Sequence, residues 1–307
     1  MEKNKKVFLT GALGVIGKPL WRELKSRGYD VFGCDLYHSH DPKYFRCDIG
    51  KYRQLEKIFE AQKFDYVYNL AAEFGRWNGE DFYENLWTTN AIGLKNIIRL
   101  QEKYKFKLVH FSSSEVYGDY DGVMQEDVMD KVEIKQLNDY AMTKWVNEMQ
   151  ILNSAAQFKT ETVRVRIFNV YGPGEYYSLY RSALCRFVYC ALNKMPFTVY
   201  KGHTRSWLFI DDACKTLANI VENFKAGEVY NIANPESLTV EKLAEVVLEK
   251  TEAEKILADY KEGEPFTTRF KKVDISKAKR DLNHNPQTSI ETGVEKTVNW
   301  MKEFYKI

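Results

Sequence analysis

Short apolar runs alternate with longer amphipathic stretches through the first half of the chain. The runs predict strands, and the stretches between them, with apolar positions three or four residues apart, predict helices. The strands are expected at Val7–Thr10, Tyr29–Asp35, Asp65–Ala71, Lys107–Ser113 and Thr162–Phe168, and the helices at Lys18–Arg27, Lys51–Gln62, Asn85–Tyr104 and Asn138–Gln157. Because strands that are apolar throughout are typical of a sheet covered on both faces, this alternation predicts an α/β fold with a doubly wound parallel sheet.

The pattern changes after residue 172, where the elements become shorter and mixed. Helices are expected near residues 182–193, 212–223 and 240–250 and from Ile290 onward, with strands near 197–200 and 206–210. We therefore expect one domain over residues 1–172 and a smaller, mixed lobe over residues 173–307 that is partly interleaved with the first.

Composition narrows the function classes. The chain has 307 residues, 44% of them hydrophobic, and its 45 Lys and Arg against 43 Asp and Glu give a net charge of only +2. Such a balance argues against a nucleic-acid-binding surface. The five cysteines form no C-x-x-C pair, so we expect reduced thiols and no metal site. No signal-peptide core and no membrane-spanning apolar run is visible, which predicts a soluble, cytoplasmic protein without membrane partners.

Three glycines follow the first predicted strand at three-residue spacing and lead into a helix. Gly11 suits a tight turn, Gly14 lets the backbone approach a pyrophosphate, and Gly17 lets the helix pack closely on the strand. The amides at the start of the helix, with Val15 and Ile16 beside them, would hold the anion. The stretch therefore predicts a Rossmann-type dinucleotide site.

Two aspartates refine the cofactor prediction. Asp35 ends the second predicted strand, where a carboxylate can accept hydrogen bonds from both ribose hydroxyls and would repel a 2′-phosphate, so NAD is favoured over NADP. Asp48, with Ile49 next to it, ends a further short apolar stretch and is a candidate contact for the adenine.

The candidate chemistry lies in "HFSSSEVYG" (110–118) and "NDYAMTKWVNE" (138–148). Tyr140 and Lys144 are four residues apart and share one helix face. A tyrosine of ordinary pKa near 10 is a poor base at neutral pH, but a neighbouring ammonium favours the phenolate and lowers that pKa. A serine at the end of the preceding strand, Ser113, can share the proton and orient a substrate oxygen.

The chain resembles the extended short-chain dehydrogenase/reductases that modify nucleotide sugars. The resemblance covers nearly the whole length and rests on "GALGVIG", "NLAA", "TTNAIGLKNI", "SSSEVYG", "YAMTK", "RIFNVYGPG", "RSWLFIDDA" and "VDISKAKRDL". It implies NAD as cofactor, with Leu70, Ala71, Ala72 and Asn90 among the binding residues. It also implies a homodimer paired through the helices that contain residues 90–104 and 140–157.

The resemblance further implies a reaction plan. Tyr140 would deprotonate a sugar hydroxyl, usually at C4, while NAD takes the hydride from that carbon and later returns it. Lys144 would hold the nicotinamide ribose, and Ser113 would hydrogen-bond the sugar oxygen. Asn169 and Arg205 match substrate-contacting positions, with Arg205 suited to the pyrophosphate because of its bidentate guanidinium. Arg269 is a further candidate phosphate contact.

Several outcomes of that oxidation stay open. Simple 4-epimerases need only the serine, tyrosine and lysine, and we place epimerisation first. The 4,6-dehydratases add an acidic pair, commonly Asp-Glu, where this chain has Ser114 and Glu115; here Glu115 could act as a C5 base, but Ser114 is a poor general acid. Ser-Glu also occurs in GDP-mannose-type dehydratases and in UDP-glucuronate decarboxylases, so dehydration and then decarboxylation are the alternatives.

Arg76 lies in an aromatic-rich stretch after the strand that ends in "NLAA". Loops at that end of a sheet line the ligand crevice, so Arg76 is a candidate substrate contact.

A noncatalytic NAD sensor or scaffold on the same fold is the alternative from another class. Such proteins typically lose the tyrosine or the lysine, and this chain retains both.

Overall fold

A computed structural model describes residues 4–307. The helices are α1 (Gly17–Ser26), α2 (Tyr52–Ala61), α3 (Arg76–Asp81), α4 (Tyr83–Trp87), α5 (Gly93–Tyr104), α6 (Asp139–Phe158), α7 (Ala183–Leu192), α8 (Ile210–Asn219), α9 (Val240–Thr251), α10 (Ser276–Leu282) and α11 (Ile290–Tyr305). The strands are β1 (Lys6–Thr10), β2 (Asp30–Asp35), β3 (Tyr44–Arg46), β4 (Tyr66–Asn69), β5 (Lys107–Ser113), β6 (Val123–Met124), β7 (Thr162–Ile167), β8 (Asn169–Tyr171), β9 (Phe197–Tyr200), β10 (Thr204–Phe209), β11 (Val229–Ile232), β12 (Ser237–Thr239), β13 (Ala258–Lys261) and β14 (Lys272–Val273).

Seven strands form one large sheet in the order β11-β7-β5-β4-β1-β2-β3. Strand β1 pairs in parallel with β2 and β4, and the parallel pairing continues from β2 to β3 and from β4 to β5. Successive side chains of β1 point to opposite faces, yet Val7, Phe8 and Leu9 are all fully buried. Both faces of the sheet are therefore covered, and the α/β fold predicted from the sequence is confirmed.

An aromatic cluster packs the strands against α2 and α5. The ring of Phe8 stacks on Phe64 at a centroid distance of 4.8 Å, and Phe59 meets Phe8 and Phe106 at 5.5 and 5.2 Å. Leu94 and Ile97 of α5 belong to the same buried cluster. Aromatic pairs in such geometries add about 0.5–1.5 kcal/mol each beyond the area they bury. The cluster fixes the strands whose carboxyl ends carry the candidate site.

The structure differs from the sequence-based elements in a few places. The single helix expected over residues 85–104 is divided into α4, a π-helical turn at Thr88–Ile92 and α5. Strand β4 ends at Asn69 rather than Ala71, because the Ala71 amide donates to the Thr10 hydroxyl instead of continuing the ladder. The three-residue strand β3 was missed because its side chains are half-buried or exposed and give no apolar run.

Contacts divide the chain into two compact units. Of the described residues, the first comprises 4–116, 138–166 and 214–230, and the second comprises 117–137, 167–213 and 231–307. The first contains most of the large sheet, while the second contains the small sheets β12-β10-β8, β13-β9 and β14-β6. None of the helices between residues 4 and 307 is both long and apolar enough to cross a membrane.

Candidate active site

The glycine turn between β1 and α1 has the backbone that a dinucleotide loop requires. Gly11 adopts a φ of +67°, and a Cβ there would lie 2.8 Å from the Ala71 amide nitrogen. A Cβ on Gly17 would overlap the carbonyl oxygen of Gly11. Gly14 is exposed, and its amide donates to that same carbonyl at 3.0 Å. The turn is therefore tight at its base and open at its tip, with Ile16 as the N-cap of α1.

Asp35 ties the end of β2 to this turn. The Leu13 amide donates to Asp35 Oδ2 at 3.0 Å, and the Leu36 amide donates to Oδ1 at 2.7 Å. Each carboxylate oxygen keeps a second lone pair for a ligand. The side chain thus holds the glycine turn in place and leaves acceptor capacity for a ribose.

Asp48 and Ile49 lie in the turn that opens α2. The Gly50 amide donates to Asp48 Oδ1 at 2.8 Å, and the Asp48 amide donates to Gln54 Oε1. Ile49 is buried, and its carbonyl accepts from Asn96 Nδ2 of α5 at 2.9 Å. Both residues are fixed by these turn contacts; the adenine contact expected of Asp48 stays a prediction.

A buried polar chain crosses the ends of β1, β4 and β5. Thr10 Oγ1 donates to Asn69 Oδ1 at 2.7 Å and accepts from the Ala71 amide at 3.1 Å, which positions the half-buried residues Leu70, Ala71 and Ala72. Asn69 Nδ2 lies 3.3 Å from His110 Nδ1. Burial, with the charges of Lys144 and Arg164, holds the pKa of His110 well below its usual range, so the imidazole is neutral.

Asn90 sits in the π-helical turn and uses its amide to clamp the segment after β4. Its Nδ2 donates to the Glu73 carbonyl at 3.0 Å, and its Oδ1 accepts from the Glu73 amide at 2.9 Å. The same Nδ2 donates to Thr143 Oγ1, the residue before Lys144. Asn90 was expected among the cofactor residues, and these contacts give it a structural task beside α6.

Helix α6 brings the candidate catalytic residues together. Its N-cap is Asn138, whose Oδ1 accepts from the Ala141 amide at 2.9 Å, so Tyr140 stands in the first turn. The hydroxyls of Tyr140 and Ser113 share a hydrogen bond. Lys144 Nζ donates to the Phe111 carbonyl at 2.8 Å and lies 5.7 Å from the centroid of the Tyr140 ring. Tyr140 therefore has both Ser113 and Lys144 beside it, the three residues that the sequence singled out.

Burial governs the protonation of this group. It raises the pKa of Tyr140 to about 12, an effect that the Ser113 hydrogen bond opposes and the Glu115 carboxylate reinforces. It lowers the pKa of Lys144 to about 8, because a buried ammonium loses its hydration. The tyrosine is thus a hydroxyl donor in the protein alone, and additional positive charge beside it is needed to make it a base.

Ser114 and Glu115 begin the 3₁₀ turn that follows β5. Ser114 is buried, whereas Glu115 is half-buried, and the Glu115 amide donates to Ser113 Oγ at 3.2 Å. The influence of Glu115 on the Tyr140 pKa places its carboxylate within electrostatic range of the phenol. The catalytic role expected of Glu115 stays a prediction.

The predicted substrate residues are divided between the two units. Arg76, in the first, forms an ion pair with Glu80 at 3.3 Å, and its guanidinium lies 3.9 Å from the Trp77 ring centroid. In the second, Asn169 begins β8, and its buried Oδ1 has no hydrogen-bond partner within residues 4–307. Arg205 of β10 donates to the Thr204 and Arg269 carbonyls and to Thr267 Oγ1, while Arg269 is exposed and donates to the Gly202 carbonyl.

Sequence reasoning missed a buried ionic cluster behind the catalytic helix. Glu148, with no exposed surface, pairs with Arg164 and Arg166 of β7 and accepts a hydrogen bond from Ser112. A signal was present: two arginines at alternate positions of a strand predicted to be buried require a carboxylate partner. Glu148, eight residues after Tyr140 on the same helix face, was the candidate.

Comparison with known proteins places this geometry in a family. The sequence profile of the NAD dependent epimerase/dehydratase family matches residues 7–233, about three quarters of the chain. The protein belongs to this family. The resemblance read from the sequence motifs is thereby confirmed, as is NAD as the cofactor.

Individual members of the family are similar over their whole length. A UDP-glucuronate 4-epimerase from Thermodesulfobacterium geofontis is 28% identical, with 96% of each chain covered. A UDP-N-acetyl-alpha-D-glucosaminuronate decarboxylase from Bacillus cytotoxicus is 27% identical, with 98% of each covered. The crystal structure of a UDP-glucuronic acid 4-epimerase from Bacillus cereus, in complex with UDP-glucuronic acid and NAD, superposes with a TM-score of 0.86 at 26% identity over 98% of this chain and 100% of that one.

The residues present here fit NAD. The turn at Gly11 and Gly17 cannot hold a Cβ without overlap or close contact with backbone, while Gly14 at its tip is exposed and able to face a pyrophosphate. The Asp35 carboxylate, anchored to that turn, retains acceptor capacity. The glycine turn and the residues Ser113, Tyr140 and Lys144 belong to the same structural unit of this chain.

Proposed function

We propose that this protein is an NAD-dependent isomerase that inverts C4 of a nucleotide-linked sugar through transient oxidation at that carbon. The observation that carries the proposal is the placement of Ser113 and Lys144 beside Tyr140 near the end of β5. Such a set can accept a proton from a sugar hydroxyl at Tyr140 Oη and hold the same oxygen through Ser113 Oγ.

The cofactor-binding roles follow from the fit of the loop. The backbone of the Gly11–Gly17 turn and the first amides of α1 would hold the pyrophosphate, and Asp35 the adenosine ribose. Lys144 would bind the nicotinamide ribose. NAD, when bound, supplies the acceptor and later the donor of the hydride.

Tyr140 needs help to act as a base, because its pKa is raised to about 12 in the protein alone. The Lys144 ammonium and the positive charge of an oxidised nicotinamide both favour the phenolate and so lower that pKa. Ser113 shares the proton by the hydrogen bond already formed. After oxidation, the same tyrosine would return the proton to the sugar oxygen.

Epimerisation is preferred to loss of water because of the residue at position 114. Dehydration needs a general acid for the departing hydroxyl, and a serine hydroxyl is too weak an acid for that task. Glu115 keeps 4,6-dehydration as the second candidate, since its carboxylate acts on Tyr140 and could remove a proton from C5.

The substrate class is argued from relatives and from charge. The relatives named above act on UDP-linked uronates, so UDP-glucuronate is the first substrate to test. Arg205 is suited to the pyrophosphate and Arg269, which is exposed, to a further phosphate contact. The buried, unpaired Oδ1 of Asn169 is an acceptor for a sugar hydroxyl.

The test is incubation of the NAD-loaded protein with UDP-, dTDP-, GDP- and CDP-sugars, followed by mass spectrometry and chromatography. We expect a new species of unchanged mass that separates from the substrate. Loss of one water would instead establish dehydration, and loss of one carbon dioxide decarboxylation. No new species from any sugar in the panel would contradict the proposal.

A further inference from the structure

Glu148 is a fully buried charge whose two carboxylate oxygens both accept hydrogen bonds. It accepts four hydrogen bonds: from Ser112 Oγ at 2.6 Å, from Arg164 Nη1 at 3.0 Å, and from Arg166 Nε and Nη2 at 2.9 Å each. A buried carboxylate is tolerated only when it is paired in this way. The two bonds from Arg166 form a bidentate fork, which fixes direction as well as distance.

Three consecutive residues of β5 hold three side chains of α6. The Phe111 carbonyl accepts from Lys144, the Ser112 hydroxyl donates to Glu148, and the Ser113 hydroxyl bonds Tyr140. The helix residues are spaced four apart, so they lie on one face along about 12 Å of the helix axis. Of the three contacts, only that of Glu148 is reinforced from another strand, by the guanidinium fork of β7.

We propose that Glu148 is a positioning residue, which fixes the axial position and rotation of α6 on β5 and β7 so that Tyr140 meets Ser113 and Lys144 meets the Phe111 carbonyl. The effect of this role on catalysis rests on the proposed function, whereas its effect on the position of Lys144 does not rest on it. Glu148 touches neither the phenol nor the ammonium in the hydrogen bonds described, and it acts through the helix that carries them.

Variants that alter the geometry of the Glu148–Arg166 pair but keep both charges isolate this role. Glu148→Asp keeps the carboxylate but withdraws it by one methylene, and Arg166→Lys keeps the cation but loses the bidentate geometry. Ile151→Ala is the matched control, because Ile151 is a buried residue of α6 in the apolar cluster and its truncation lowers the stability of the fold. The control weakens the helix packing without touching the ionic cluster.

The first readout is the reactivity of the Lys144 amine, which needs no substrate. Lys144 is 4% exposed, so brief reductive methylation of the native, NAD-loaded protein should leave it largely unmodified. We expect methylation of Lys144, mapped by peptide mass, to be about tenfold greater in Glu148→Asp and Arg166→Lys than in Ile151→Ala. Each variant is labelled the same number of degrees below its own melting temperature. Equal labelling in the three variants would overturn the inference.

The second readout applies once a substrate is turned over. A misplacement of the catalytic pair by about 1 Å lowers the rate by about 100-fold. We therefore expect kcat to fall by that factor in both fork variants, with KM and NAD affinity within threefold of the wild type and Ile151→Ala unaffected. A kcat loss no larger than that of Ile151→Ala overturns the inference. If no nucleotide sugar reacts, the proposed function fails, while the labelling still decides the role of Glu148.

Discussion

Lys144 shows how a candidate catalytic residue lowers the stability of its own fold. Its ammonium is buried, and its pKa falls from 10.5 to about 8. Because the unfolded chain holds this proton more tightly than the folded one, the penalty is fully present below pH 8 and is relieved as the pH rises from about 8 to 10.5. A shift of this size corresponds to a penalty on the order of 3 kcal/mol.

We therefore predict that Lys144→Met is more stable than the wild type at pH 7, by about 1–3 kcal/mol once the lost hydrogen bond to Phe111 is allowed for. The advantage should shrink between pH 8 and 10.5. Urea unfolding at pH 7 and pH 10 measures the difference in stability and its change with pH. Lys95→Met, at an exposed position of α5, is the control. A less stable Lys144→Met protein at pH 7 would disprove this electrostatic account.

Glu115 affects the pKa of Tyr140, the candidate base. Its carboxylate disfavours the phenolate and so contributes to the raised pKa of Tyr140. We predict that Glu115→Gln lowers that pKa and moves the alkaline rise of the pH–rate profile to lower pH, with turnover retained. Exposed Glu84→Gln should leave the profile unchanged. Abolished turnover in Glu115→Gln would favour dehydration, with Glu115 as the C5 base.

Two glycines of the turn between β1 and α1 differ in how much room a side chain would have. A Cβ on Gly17 would overlap backbone that cannot move aside, whereas a Cβ on Gly14 would lie 3.1 Å from the Gly11 carbonyl oxygen, which a small shift relieves. The two glycines therefore have different tasks. Gly17 permits the fold of the turn, and Gly14 is the residue at which we expect the pyrophosphate to approach.

We predict that Gly17→Ala loses both stability and NAD affinity, while Gly14→Ala unfolds within about 1 kcal/mol of the wild type but binds NAD at least tenfold more weakly. Thermal unfolding and NAD titration by calorimetry give the two quantities. Wild-type NAD affinity in Gly14→Ala would show that the pyrophosphate does not approach this residue.

The sequence anticipated the elements more fully than the contacts between them. Alternating apolar runs located β1, β2, β4 and β5, and the predicted helix over residues 138–157 placed Tyr140 and Lys144 together on α6. The π-helical turn around Asn90 was not foreseen, because it depends on a clamp to the Glu73 backbone that has no local pattern. The Glu148 cluster did have a signal in the alternating arginines of β7, but pairing them with Glu148 also requires knowledge of which strand faces α6.

At the scale of the whole molecule, α6 presents apolar side chains that the chain itself leaves uncovered. Met142, Met149 and Leu152 are 39–47% exposed. A stripe of this kind is typical of a helix that packs against another subunit. It is consistent with the homodimer expected from the sequence resemblance, which stays a prediction.

We predict that the protein elutes as a dimer and that Met149→Glu with Leu152→Glu converts it to a folded monomer. Light scattering coupled to size exclusion gives the mass, and circular dichroism confirms the fold. Exposed Asn153→Glu on the same helix is the control. A wild-type protein that is monomeric at micromolar concentration would contradict the prediction.

Transient oxidation at C4, with Tyr140 as the base, determines where the hydrogen on C4 goes. The most direct test is incubation of the NAD-loaded protein with UDP-glucuronate deuterated at C4, and then with any other C4-deuterated nucleotide sugar that the panel identifies. We predict a C4-inverted product that retains the deuterium at C4, and no product from Tyr140→Phe, which should still bind NAD. Inversion with loss of the deuterium to solvent, or undiminished turnover by Tyr140→Phe, would contradict the account.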